Sequence, residues 1–233
     1  MPSGTWRTVS SDPPELGRRD GLAYALFTPA EPATGGVVII HGADSVKESH
    51  FDFARKLKAH GIAAVCFDVR GHGESEGPLG AGVLDDVATI ASVLPSGPVA
   101  VRGSSMGGFL ALAAAEKVRP AAVVAICPAT PRGLLRAAAE GRFAFRVDVD
   151  GAALVLAHVD LEVAARELGE RLLLLHAEGD ETVPVAHSRQ LHAVAPGSRY
   201  VEAPGGHHRS IQHDDDYQAL SIRFIRDAFA LRA

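Results

Sequence analysis

The sequence predicts an α/β chain, with a mostly parallel central sheet covered by helices on both faces. Three observations predict it. Short unbroken apolar runs recur, among them Gly36 to Ile40, Ile62 to Phe67, Ala121 to Cys127 and Arg171 to Leu175, and a strand buried on both faces reads this way. Stretches with apolar residues at helical spacing separate these runs, which supplies the crossovers that parallel strands need. Polar, glycine-bearing segments follow several runs, at the strand ends where such sheets bind ligands.

The bulk numbers agree. The chain has 233 residues, 47% hydrophobic and 22% charged, ordinary values for a globular protein able to bury a substantial core. No internal repeat, low-complexity tract or flexible linker divides it, so residues 1–233 read as one domain. The formal net charge is -5 with no run of Lys and Arg, which argues against nucleic acid or an anionic membrane as partner. Met1 to Asp20 is polar and lacks the apolar core of a signal peptide. No apolar run approaches the roughly 18 residues of a membrane span. A cytoplasmic protein is therefore expected, as a monomer or small homo-oligomer. Cys66 and Cys127 lie inside apolar runs and read as buried free thiols.

In order along the chain, Thr5 to Ser10 and Leu22 to Thr28 alternate loosely and suggest two edge strands joined by the polar turn Ser11-Asp12-Pro13-Pro14. Gly36 to Ile40 is a buried strand ending at His41-Gly42-Ala43-Asp44. Lys47 to His60 places Phe51, Ala54 and Leu57 at helical spacing, and Gly61 stops that helix. Ile62 to Phe67 is the next strand, running into the glycine-rich loop Asp68 to Pro78. Val83 to Leu94 is an amphipathic helix. A short strand from Val99 leads through a glycine-flanked turn into a helix ending before Pro120. After the strand Ala121 to Cys127 the pattern loosens: Leu134 to Glu140 and Leu161 to Leu168 read as helices, Arg142 to Val149 as extended. We expect residues 131–170 to be a short lid inserted between two strands, with Phe143, Phe145, Leu154, Val155 and Leu156 as pocket lining or as packing onto the sheet. Arg171 to Leu175, His187 to Ala195, Arg199 to Glu202 and Asp215 to Leu231 complete the alternation as strand, helix, strand and helix.

The chemistry centres on Gly103-Ser104-Ser105-Met106-Gly107. In so tight a strand-to-helix turn the central serine is driven to positive φ, and residues two positions either side must be small. The turn holds the Ser105 hydroxyl out of the strand end, and the N–H of Met106 stands free at the helix start, able to stabilise an oxyanion. A serine hydroxyl needs a base. Asp180 follows the Arg171 to Leu175 strand, and His207 and His208 follow the Arg199 to Glu202 strand, so all three converge on one sheet edge in the order Ser, Asp, His. Two glycines, Gly205 and Gly206, allow either imidazole to reach Ser105. Asp44, Asp68, Asp148, Asp150 and Asp160 read as turn or surface residues; His41 as a prop for its own loop; His72, His176, Ser75 and Ser104 as loop or turn residues; and His158, His187, His192 and His213 as surface or helix positions. No His, Cys and acidic set has zinc-ligand spacing, and Gly71-x-Gly73 lacks the context of a dinucleotide site, so neither metal nor cofactor is expected.

His41-Gly42-Ala43, Asp68-Val69-Arg70-Gly71-His72-Gly73-Glu74-Ser75, Gly103 to Gly108, Gly179-Asp180-Glu181-Thr182-Val183-Pro184 and Gly206-His207-His208-Arg209 together resemble the α/β-hydrolase superfamily, and within it the small serine esterases with a short lid. The likeness runs from about residue 36 onward. It implies Ser105 as nucleophile, Asp180 as the acid that orients the base, and oxyanion donors at Ala43 and Met106. It also favours His208 over His207, because Pro-Gly-x-x-His sets the base four residues after the proline, here Pro204, with Arg209 next. The implied activity is hydrolysis of small carboxylic esters through an acyl-enzyme. The same residues would serve a thioesterase or an amide hydrolase, and a catalytically silent receptor could keep the fold.

Overall fold

The computed structural model describes residues 12–232. Its frame is one sheet of eight strands: β1 (Glu15–Arg19), β2 (Leu22–Phe27), β3 (Gly36–Ile40), β4 (Ala63–Phe67), β5 (Val99–Ser104), β6 (Ala122–Ile126), β7 (Leu172–Ala177) and β8 (Arg199–Ala203). The spatial order is β1-β2-β4-β3-β5-β6-β7-β8. β2 runs antiparallel to both its neighbours, and every pairing from β4 to β8 is parallel.

Helices clothe both faces, as two-sided burial of the strands demands. α1 (Phe51–Ala59) and α9 (Asp215–Ala230) cover one face, packing Phe53, Leu57, Ile225 and Phe229 against Val37, Ile39, Val124 and Leu173. α2 (Val83–Ala91), α3 (Met106–Ala113), α7 (Leu161–Leu168) and α8 (Ala186–Val194) cover the other, against Val38, Ile40, Val101, Val123 and Leu174. Alternate residues of each strand thus feed opposite cores. α4 (Ala115–Val118) follows α3 after a break at Ala114, where one continuous helix is expected from the sequence.

Between β6 and β7 lie α5 (Pro131–Ala139), α6 (Val149–His158) and α7. α7 is a sheet-covering helix, with Leu161, Ala165 and Leu168 in the core. Only α5, the strip 140–148 and α6 stand over the strand ends.

The N-terminal hairpin differs from expectation. Thr5 to Ser10 lies outside the described residues. The partner of β2 is β1, and the two are joined at Asp20-Gly21, both at positive φ, rather than at residues 11–14. Arg142 to Val149 also departs from the extended reading: a single bridge, Val147 to Leu79, is its only β pairing among the described residues. α6, unread in the sequence, begins on the Asp148 side chain, which accepts from the Gly151 N–H at 3.1 Å.

The connection order positions the site. From β3 the chain crosses outward to β4 and then returns to the far side of β3 as β5. The crevice between the carboxyl ends of β3 and β5 is therefore the topological switch point. His41-Gly42-Ala43 leaves one strand there and Ser104-Ser105 leaves the other.

Candidate active site

Ser105 sits at φ 55°, ψ −118°, between the end of β5 and the start of α3. A non-glycine residue held there stores about 1–3 kcal/mol of strain. The turn allows nothing larger beside it: a Cβ on Gly103 would overlap the carbonyl oxygen of Gly107, and one on Gly107 that of Ile40. Backbone bonds secure the strained residue. Its N–H donates to Ile126 O at 2.9 Å, and its carbonyl accepts from Phe109 and Ala129, each at 3.0 Å. Asp44 (φ 56°) and Cys127 (φ 43°), just past β3 and β6, are strained likewise, so three of the positive-φ non-glycine residues cluster on one edge.

The structure brings Ser105, His208 and Asp180 together. The Ser105 hydroxyl is 2.8 Å from His208 Nε2, and His208 Nδ1 is 2.7 Å from Asp180 Oδ2. Asp180 Oδ1 accepts from the N–H groups of Thr182 and Val183, both at 2.8 Å. Burial works against the charge on Asp180. The hydrogen bonds from His176, His208, Val183 and Thr182 outweigh it and hold the carboxyl well below the usual carboxylate range.

His208 and Asp180 meet because their loops are laced together: Glu178 N–H donates to Ala203 O at 2.9 Å and Gly179 N–H to Gly205 O at 3.2 Å. Gly205 and Gly206 both take positive φ to turn the chain back. His207 is exposed and lines the cleft beside His208, its Nδ1 accepting from the Arg209 N–H at 3.3 Å.

Gly42 packs on Ser105; a Cβ there would stand 3.4 Å from Ser105 Cβ. Ala43 and Ser105 line the same cleft. Met106 is the first residue of α3, where an N–H has no intrahelical acceptor. His41 braces the loop from beneath: Val69 N–H donates to its Nε2 at 3.0 Å, so Nδ1 carries the hydrogen facing Gly42 O at 2.7 Å. Lys47 Nζ ties the same loop to Asp68 at 2.9 Å and to Glu74 at 2.7 Å. Asp68 is thus a fully buried ion-pair partner rather than a turn or surface residue. Asp148 and Asp160 cap α6 and α7, and Asp44 Oδ1 accepts from Ala144 N–H at 2.8 Å, pinning the strip 140–148 to the loop after β3.

The cleft over Ser105 has a volume of about 860 Å³ and is walled by polar and charged side chains, Asp44, Ser45, Arg136, Arg142, Glu181 and Arg209 among them. Behind it Met106, Phe109, Leu134, Phe143, Val155 and Leu156 leave an apolar crevice of only about 20 Å³. Of the expected lining residues, Phe143 reaches the cleft, whereas Phe145 stacks on His72 at 3.6 Å between ring centroids and Leu154 points to solvent.

Among the described residues, Cys127, His176 and Asp180 converge unforeseen by the sequence, their ligand-type atoms within 4.8 Å of one another. They come from three segments, so no spacing could reveal them. His176 Nε2 is 3.2 Å from Asp180 Oδ2. Among the described residues no helix is long and apolar enough to cross a membrane.

A family model described as serine aminopeptidase, S33, matches residues 31–143. An uncharacterized protein of Escherichia coli O157:H7, YfhR, is 26% identical over 218 residues, 86% of this chain and 73% of that protein. Among solved structures, Est1E from Butyrivibrio proteoclasticus with ferulic acid bound superposes with a TM-score of 0.70 at 21% identity, covering 94% of this chain and 98% of that one. DcsB in complex with its substrate analogue gives a TM-score of 0.77 at 16% identity, over 93% and 99% of the two chains. With the sheet order, the strand-end loops and these likenesses in agreement, the chain has the α/β-hydrolase fold.

Proposed function

We propose that the protein is a serine hydrolase that cleaves small or short-acyl carboxylic esters, with Ser105 as nucleophile, His208 as base and Asp180 as the group that orients it. The observation that carries this reading is the unbroken hydrogen-bonded line from Ser105 Oγ through both ring nitrogens of His208 to Asp180. His208 Nε2 takes the hydroxyl proton as Ser105 Oγ attacks the ester carbonyl. Asp180 keeps hydrogen on Nδ1 and stabilises the imidazolium. The oxyanion takes hydrogen bonds from the N–H groups of Met106 and Ala43, and losing one such donor typically costs about 10²–10³ in rate. His208 returns the proton to the leaving alkoxide, and a water activated by the same imidazole then hydrolyses the acyl-enzyme.

The substrate range follows from the two volumes behind this reading. The cleft, with mixed polar and apolar walls, admits a small ester, and an apolar crevice near the size of one water leaves no room for a long acyl chain behind Met106. We take residues 12–232 to be one domain, with α5, the strip 140–148 and α6 as a short lid.

A second reading, amide hydrolysis on the same residues, is favoured by the aminopeptidase description of the matching family model, and the Asp44 and Glu181 carboxylates in the cleft would suit a substrate amine. One experiment separates the two: p-nitrophenyl esters, acyl thioesters and aminoacyl amides are offered to the protein, with Ser105→Ala as blank. Short esters should turn over fastest and Ser105→Ala should lose both turnover and fluorophosphonate labelling. Preference for the amides selects the second reading, and labelling retained in Ser105→Ala removes the first.

A further inference from the structure

We propose that His176 is a positioning residue for the Ser105–His208–Asp180 line: its ring N–H bonds the Val183 carbonyl of the Asp180 turn and stands 3.2 Å from the carboxylate oxygen that His208 also meets. The inference rests on the catalytic reading above.

His176 lies in β7, four residues before Asp180, with no exposed side-chain surface. Its two ring nitrogens face different partners. Nε2 is 3.0 Å from Val183 O and 3.2 Å from Asp180 Oδ2. Both oxygens only accept, so Nε2 carries hydrogen. Nδ1 is 2.7 Å from the hydroxyl of Ser188, buried on α8, which donates to it. The Val183 carbonyl fixes the tautomer of His176, as Asp180 fixes that of His208, and the Ser188 hydroxyl holds the ring from its other side. A five-residue chain results: Ser188, His176, Asp180, His208, Ser105.

The chain clamps the turn that carries Asp180. Val183 is tied twice, its N–H to Asp180 Oδ1 and its carbonyl to His176 Nε2. Asp180 Oδ2 is divided between two imidazoles, at 2.7 Å and 3.2 Å. The other titratable groups around this chain are Cys127, within 4.8 Å of Asp180; Glu202, opposite His176 on β8 and engaged by Arg189 and Tyr200; His187 on α8; and Glu181, which accepts the His208 backbone N–H.

A donor on Oδ2 draws off part of the carboxylate's charge, so Asp180 attracts a protonated His208 less than it would alone. Removing the donor makes His208 harder to deprotonate, and the base form then appears only at higher pH. Loss of packing alone would not move the pH profile.

The test uses three variants. His176→Gln keeps an N–H near the Nε2 position, His176→Leu removes it, and Ser188→Ala removes the hydroxyl that holds the ring at Nδ1. The readouts are the rate of fluorophosphonate labelling of Ser105 and kcat/KM for p-nitrophenyl acetate, each followed between about pH 5 and pH 9. His176→Leu should react roughly 10–100-fold more slowly, the range for groups that orient a reacting residue from behind, with its acidic limb moved to higher pH. His176→Gln should recover most of the rate and return the limb, with Ser188→Ala between them. Equal losses in His176→Leu and His176→Gln with an unmoved limb would overturn the inference. Should His176→Leu fail to fold, a wild-type rate and profile in Ser188→Ala overturns it equally. Ser105→Ala is run alongside: labelling that survives there refutes the catalytic reading itself, whereas labelling lost there but unchanged in the His176 and Ser188 variants refutes only the role of His176.

Discussion

His207 and His208 are adjacent in the chain, yet only His208 bridges a hydroxyl that donates to one ring nitrogen and a carboxylate that accepts from the other. His208 spans Ser105 and Asp180 with its side chain 10% exposed, whereas His207 is exposed and bonds within its own turn. His208→Ala should therefore lose several orders of magnitude in kcat, close to Ser105→Ala, because residues acting as a unit fail together. His207→Ala should stay within about tenfold of wild type; the reverse outcome in steady-state assays would reassign the base. At this scale the sequence is informative where a side chain's role follows from its own turn. Ser105 is readable from its two glycines, and Asp180 from its place after an apolar run. His176 and Asp68 are not, because a buried polar residue is defined by partners that only tertiary structure brings near. In a sequence each looks like any polar residue beside a strand.

Elements are legible in proportion to how much of them is buried. β3, β4, β6 and β7 are buried along their whole lengths and read directly as apolar runs. β1 has no buried residue, so Glu15 to Arg19 carries no pattern to find. α6 is hidden for another reason: its Ala and Leu residues run nearly all round, with Leu154 61% exposed, so no single apolar stripe marks it. The lid elements also suggest what limits the substrate. Leu134 of α5 and Phe143 close the apolar crevice behind Met106. Leu134→Ala should open it and shift kcat/KM towards longer acyl chains, by roughly tenfold for a few added methylenes at about 0.8 kcal/mol each when fully buried. A series of p-nitrophenyl esters from acetate to octanoate measures this, and an unchanged chain-length profile would show that acyl groups lie elsewhere in the cleft.

Across the whole molecule, two buried histidines add to the response to acid. Burial pushes His41 down to about 4 and His50 down to about 3. The unfolded chain takes up these protons near pH 6.5, before the native state does. Each contribution is therefore complete above pH 6.5 and is lost as pH falls towards those native values, costing about 2 kcal/mol per histidine by pH 5. The His50 Nδ1 has no partner, so His50→Phe breaks no ring hydrogen bond. Its urea stability should fall by about 2 kcal/mol less than wild type between pH 7 and pH 5. The two free cysteines carry a different consequence of the same burial. Both thiols are pushed above their ordinary range, first by desolvation, so neither reacts until it meets water. Cys66 lies mid-sheet in β4, and Cys127 lies under Asp180 at the end of β6. They are two clocks built into one chain. Alkylation of Cys66 times the opening of the whole sheet, alkylation of Cys127 times the opening of the strand-end edge, and the ratio of their rates measures how often the edge breathes while the sheet stays closed.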